Sequence, residues 1–196
     1  MKLHHIQSML TIGHSTLPIE VFLNALKENG VQLLVDVRTI PRSRHNPQFG
    51  TEELSASLRA KDIDYRWMRE LGGLRHARRD SINMGWRNTS FRGYADYMQT
   101  EEFAAALAGL IALDEKQTAA IMCSEAVPWR CHRSLIGDAL LVRHRQVEDI
   151  FVTAATGATH RKPHTLTSFA QVEGTRIWYQ GDAVQQELPL KAKASA

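Results

Sequence analysis

Residues 118–142 constrain this chain more than any other stretch. Thr118-Ala119-Ala120-Ile121-Met122-Cys123 is short, apolar and bounded by polar residues. That composition suits a buried strand of a parallel sheet, although a buried helix gives the same signal. After Arg130 the period changes, and Leu135, Ile136, Ala139, Leu140 and Val142 recur at helical spacing. Strand, short loop and helix therefore follow one another, which puts the loop at the carboxyl edge of a strand and the amino end of a helix. Open α/β sheets bind ligands at that edge, and a helix start offers unpaired N–H groups and partial positive charge to an anion. Both cysteines of the chain, Cys123 and Cys131, lie in this stretch.

The same alternation appears on either side. Residues 9–12 read as a first strand ending in Gly13-His14-Ser15-Thr16, and Pro18 opens a helix whose apolar face is Val21, Phe22, Ala25 and Leu26, closed by Asn29-Gly30. Residues 31–38 form the clearest second strand, and residues 39–50, rich in Arg and Pro, are too broken for regular structure. A helix is expected over residues 51–61 with Leu54 and Leu58 one turn apart, then a third strand over 63–68. Residues 70–90 show no sustained period, which suits a functional or mobile loop. Residues 91–98 lead into Thr100-Glu101-Glu102, which starts a helix running to Leu113, and residues 147–152 make a last body strand.

This pattern predicts an α/β fold with a mainly parallel sheet of about five strands, flanked by helices on both faces. Residues 1–155 are expected to form the α/β domain that carries the Cys/Arg site, and residues 156–196 an extension packed on the same domain. Within the extension, residues 156–164 read as a loop, residues 177–179 as a late strand and residues 188–196 as a frayed end.

With 196 residues the chain can bury a substantial core. Its first residues lack the apolar stretch of a signal peptide, and no run of about 18 apolar residues exists, so a cytoplasmic protein without a membrane partner is expected. Two cysteines eight positions apart in a reducing compartment are thiols rather than a staple, which favours catalytic, redox or metal roles. The net charge of +3 conceals a local imbalance: residues 38–92 hold eleven Arg and one Lys against six acidic residues. Arg presents a planar fork suited to phosphate or carboxylate, so an anionic small molecule or a nucleic acid is the expected partner. Oligomeric state is not set by these features.

Several motifs occur together: Gly13-His14-Ser15-Thr16, Val35-Asp36-Val37-Arg38 followed by Pro41-Arg42-Ser43, Leu71-Gly72-Gly73, Gly93-Tyr94, Cys123 with Glu125, and Cys131-His132-Arg133. In this order and over roughly residues 10–170, the chain resembles domain-of-unknown-function family 488. The resemblance implies an α/β domain of bacterial-type cytoplasmic proteins and says little about activity, so function has to come from the site.

Candidate catalytic residues are Cys123, Cys131, Glu125 and His132. A thiol at a strand end, followed by a loop that returns to a helix start carrying Arg130 and Arg133, has the layout of phosphatase and rhodanese cradles, where loop amides and an Arg hold an oxyanion near a thiolate. Six residues separate Cys123 from Arg130, one more than the phosphatase signature, so the likeness is of shape only. Cys131 stands near the first helical turn as an alternative nucleophile or a resolving partner to Cys123. Glu125 is an acid or base beside the thiol, or neutralises Arg130. Candidate substrate-binding residues are His14, Ser15, Arg38, Arg42, Arg130, Arg133 and Tyr94, which reach one edge if the first two strands lie beside the Cys123 strand. Asp36 is a buried partner for an Arg, and Gly72 and Gly73 serve backbone conformation.

No cofactor and no metal is expected: Cys123, Cys131, His132 and His14 are soft ligands, but seven residues between the cysteines is not a common zinc pattern. The expected function is an enzyme acting on a phosphate- or carboxylate-bearing substrate. Two alternatives stand beside it. One is a nucleic-acid-binding or nucleic-acid-processing protein with Arg-rich loops and Trp86, Tyr94 or Trp129 stacking on bases. The other is a nucleotide or anion binding module without catalysis.

Overall fold

The structure is a computed structural model that describes residues 8–42 and 44–181. Its main sheet is built from β1 (Met9–Gly13), β2 (Leu33–Asp36), β3 (Asp64–Trp67), β4 (Ala119–Cys123), β5 (Val147–Val152) and β6 (Thr159–Pro163), in the order β3-β2-β4-β1-β5-β6. The first five pair in parallel, and β6 runs antiparallel to β5. Between them run α1 (Ile19–Glu28), α2 (Thr51–Arg59), α3 (Thr89–Tyr97), α4 (Glu101–Asp114) and α5 (Arg133–Leu141). A separate antiparallel pair, β7 (Ala170–Glu173) and β8 (Arg176–Tyr179), follows.

The apolar runs of the strands divide as a two-residue period requires. Leu33 and Val35 join one buried cluster and Leu34 the other; Ala119, Ile121 and Cys123 join the first, Ala120 and Met122 the second. The first cluster takes Tyr94, Phe103, Leu107 and Leu110 from α3 and α4, and Leu135, Ile136, Ala139 and Leu140 from α5. The second takes Phe22, Leu23 and Leu26 from α1 and Leu54 and Leu58 from α2. The neighbouring strands β1 and β4 are thus followed by helices that belong to different clusters. That divergence opens a crevice beyond their carboxyl ends, the topological switch point where open α/β sheets bind ligands.

All five expected strands are present, and the sheet has one more. Residues 159–163, read as loop, form β6. Its residues are polar and mostly exposed, so no apolar alternation announced a strand. Pairing with β5, the stacking of His160 on Phe151 (centroids 5.1 Å apart) and the Arg161 Nε bond to Asn29 Oδ1 (2.7 Å) hold it instead. Residues 91–97, expected only to lead into the next helix, lie in α3. The helix starts at an Asn88 cap whose side chain accepts from the N–H groups of Ser90 and Phe91, a signal available in the sequence. The expected frayed segment, residues 188–196, lies outside the described residues. Among the described residues no helix is long and apolar enough to cross a membrane.

Residues beyond β5 are tied to the body by buried polar groups. His164 Nδ1 meets Asp149 Oδ2 at 2.9 Å, and its Nε2 meets Asp138 Oδ1 at 3.2 Å. Asp138 also accepts from the Thr167 N–H (3.1 Å) and the Tyr179 hydroxyl (2.8 Å), while Thr11 donates to Asp149. One knot therefore joins β1, β5, α5, β8 and the connection between them. Burial works against a charge on His164, but the bonds to Asp138 and Asp149 outweigh it and raise its pKa to about 9.

Candidate functional site

β4 lies between β1 and β2, so the segments leaving these three strands emerge side by side. Beyond the paired residues Gly13 and Cys123, the β1 loop continues to hydrogen-bond the β4 loop: the His14 N–H donates to Cys123 O (3.1 Å) and the Ser15 N–H to Ser124 O (2.8 Å). Ser15 adopts a left-handed backbone, φ 45°, to make that turn. A cavity of about 720 Å³ opens here. Nine residues of the expected site line it: His14, Ser15, Arg38, Arg42, Cys123, Glu125, Arg130, Cys131 and His132.

Two expected residues do not line it. Arg133 is 1 % exposed, and its guanidinium donates from Nη1 to Glu125 O (2.5 Å) and from Nη2 to Ala126 O (2.9 Å). It folds the β4 loop rather than facing a ligand. Tyr94 is fully buried and donates its hydroxyl to Leu71 O at 3.0 Å. Its ring packs against His132, 4.9 Å between centroids, so it supports the site from below.

Arg38 and His14 line the cavity with their polar atoms already engaged. The Arg38 guanidinium grips Asp36 and also donates to Phe49 O at 2.8 Å, and its Nη1 lies 3.2 Å from His14 Nε2. His14 Nδ1 lies 2.8 Å from Ser15 O, which can only accept, so Nδ1 carries the proton and Nε2 is free to accept from Arg38. Burial, then the Arg38 charge, lowers the His14 pKa to about 4, and the ring is neutral at physiological pH. Asp36 receives one further bond, from the Tyr65 hydroxyl at 2.8 Å. Tyr65→Phe is expected to cost about 1.5 kcal/mol in urea unfolding, because a hydrogen bond to a buried carboxylate is lost. An unchanged midpoint would show that this bond adds nothing.

Arg42 and Arg130 differ from these. Both are exposed at the cavity wall, and among the described residues neither forms an ion pair. Glu125 is exposed close by and makes no salt bridge to Arg130.

The floor is a cluster of sulfur and imidazole. His132 Nδ1 lies 3.9 Å from Cys123 Sγ and 3.7 Å from Cys131 Sγ. Its Nε2 lies 3.1 Å from Val37 O, so Nε2 carries the proton and Nδ1 turns its lone pair to the sulfurs. Gly73 lets the ring sit there: a Cβ at that position would lie 2.5 Å from His132 Nδ1. The role of Gly73 is therefore close approach rather than unusual backbone conformation. A hydrogen bond from Cys131 is the largest influence on Cys123 and holds its thiol low; burial opposes it, and His132 and Arg133 add to the lowering. The same bond, with burial, holds the Cys131 thiol high.

The family model described as Domain of unknown function DUF488 matches residues 18–140. The chain belongs to this family. The matched stretch of this DUF488 protein is shorter than the 10–170 expected and holds Arg38, Arg42 and the whole Cys123–His132 floor, while His14 and Ser15 precede it. The chain matches no curated protein and no solved structure.

Sequence reasoning on this DUF488 chain missed several wall residues. Ser124, whose hydroxyl lies 3.9 Å from Cys123 Sγ, was adjacent to a candidate and could have been included. Thr39 was likewise adjacent to the candidate Arg38, whereas Leu74 from a distant loop and Ser90 and Phe91 from the start of α3 carry no local signal.

Proposed function

We propose that this protein is an enzyme acting on a small anionic substrate, one bearing phosphate or carboxylate, with Cys123 as its nucleophile. One observation supports the reading: two thiols and two guanidinium groups that have no acidic partner among the described residues line the same cavity. Arg42 and Arg130 receive the anion, and His132 Nδ1 takes a proton from the thiol floor. Glu125, exposed at the wall, is the second acid or base. Arg38, His14 and Ser15 form a wall whose own bonds are satisfied. A cavity of about 720 Å³ suits a small molecule.

A second reading, nucleic-acid binding, is supported by one feature, Trp129, which is 65 % exposed beside Arg130. The other aromatic candidates do not support it: Trp86 packs with Phe91, Phe169 and Tyr179, and Tyr94 is buried. Nucleic-acid binding through arginines weakens steeply with salt, and a flat salt response removes this reading.

The test is alkylation of reduced, metal-free protein with iodoacetamide, mapped by mass spectrometry. Cys123 should react faster than free cysteine, inorganic phosphate should slow it several-fold, and Arg130→Ala should raise the phosphate concentration needed for that protection by about 10-fold or more. If both sulfurs react no faster than free cysteine and phosphate changes nothing, the reading fails. Protection without turnover of any phosphate or carboxylate compound marks a binding module instead.

A further inference from the structure

We infer that Cys123, Cys131 and His132 form a binding site for a soft divalent cation of the zinc class, with its fourth coordination position open to the cavity. Their ligand atoms, two Sγ and Nδ1, all lie within 4.8 Å of one another. In a tetrahedral zinc site with Zn–S about 2.3 Å and Zn–N about 2.0 Å, neighbouring ligand atoms stand roughly 3.5–3.8 Å apart. The observed separations of 3.7 and 3.9 Å from Nδ1 to the sulfurs need to close by only a few tenths of an ångström at most.

The surroundings of the imidazole are those of a ligand. Metal-bound histidines commonly donate their second ring N–H to a carbonyl, which fixes tautomer and orientation. Here the Val37 carbonyl takes Nε2–H, with Gly73 close to the ring edge and Tyr94 packed against the ring. His14, the fourth ligand type available by sequence, is not part of the set, because its two nitrogens face Ser15 O and Arg38.

Two thiols and an imidazole select zinc, cobalt or cadmium over magnesium or calcium. Binding displaces the protons that the thiols still carry, and the two thiolates then balance the charge of the dication. Three protein ligands with one open position is the arrangement of a reactive rather than a purely structural zinc site. With the cation in place, Cys123 is a ligand and not a free nucleophile, so the cation switches the cavity from thiol chemistry to an electrophilic seat for the anion. The three-ligand site stands on its own geometry; only the anion at the fourth position rests on the proposed function.

The experiment is a titration of the reduced, chelator-treated full chain with cobalt(II), followed by displacement with zinc(II). One equivalent should produce thiolate-to-cobalt charge transfer and the ligand-field bands of a tetrahedral site, with proton release. His132→Asn and Cys131→Ser should each lower cobalt affinity by about 100-fold or more, with circular dichroism checking that both variants fold. Absence of the charge-transfer band in folded wild-type protein, or wild-type cobalt affinity retained in both variants, overturns the cation site. Inorganic sulfate should shift the cobalt spectrum in wild type and not in Arg130→Ala. A spectrum indifferent to sulfate retains the cation site and counts against the anion reading. Phosphate-protected alkylation without cobalt binding does the reverse.

Discussion

Asp138→Ala is expected to cost the fold about 3–5 kcal/mol, a large share of the 5–15 kcal/mol that holds a typical domain together. The carboxylate is fully buried and accepts from His164, the Thr167 N–H and the Tyr179 hydroxyl. Truncation leaves two donors without partners and an imidazolium with only Asp149. Chemical denaturation of wild type and variant measures the loss directly. A difference below about 1 kcal/mol would mean that water enters and satisfies the knot.

The same knot sets a pH dependence. Folding raises the pKa of His164 from 6.5 to about 9, so its stabilising contribution is complete below pH 6.5 and is lost as pH rises through 9. The group is well buried, and over that window the loss is about 3 kcal/mol. Wild-type stability should therefore fall between pH 6.5 and 9, and Asp138→Asn should flatten the slope. Parallel slopes in the two proteins would remove His164 as the cause.

Gly13→Ala is the second large effect, expected at about 3 kcal/mol with collapse of the site. A Cβ on Gly13 would stand 1.8 Å from the Glu125 carbonyl oxygen and 2.9 Å from Arg133 Nη1. That carbonyl is backbone held by Arg133, so neither the strand end nor the loop can yield without breaking the other. Gly73→Ala makes a useful contrast, because the atom it meets, His132 Nδ1, belongs to a side chain that can turn. It should cost about 1 kcal/mol while moving the imidazole off the sulfurs. Denaturation midpoints and the alkylation rate of Cys123 read both variants. Equal, small losses of stability in the two would show that the β4 loop is plastic and that Gly13 is not its anchor.

How far the site could be read ahead depended on what kind of signal each residue carried. Cys123, Glu125, Arg130 and His132 follow one apolar strand and were visible from its edge; Arg38 and His14 followed once their strands were placed beside it. Arg133 and Tyr94 looked like ligand-facing groups, since charge and aromaticity do not reveal that a side chain turns inward to satisfy carbonyls at Glu125, Ala126 and Leu71. Residues 159–163 were unreadable as a strand because their pairing with β5 needs no apolar alternation.

The amino-acid order alone determined that strands and helices alternate in a mainly parallel sheet of about five strands, that Cys123 sits at a strand end and that Cys131 sits near a helix start, because period and burial are properties of neighbouring residues. Only the tertiary structure decided that β4 lies between β1 and β2, that Arg38 grips Asp36 while Arg42 and Arg130 line the cavity with no acidic partner among the described residues, and that His132 Nδ1 meets both sulfurs. Those facts depend on which distant segments share a wall, and pairing across such separations leaves no local pattern in the chain.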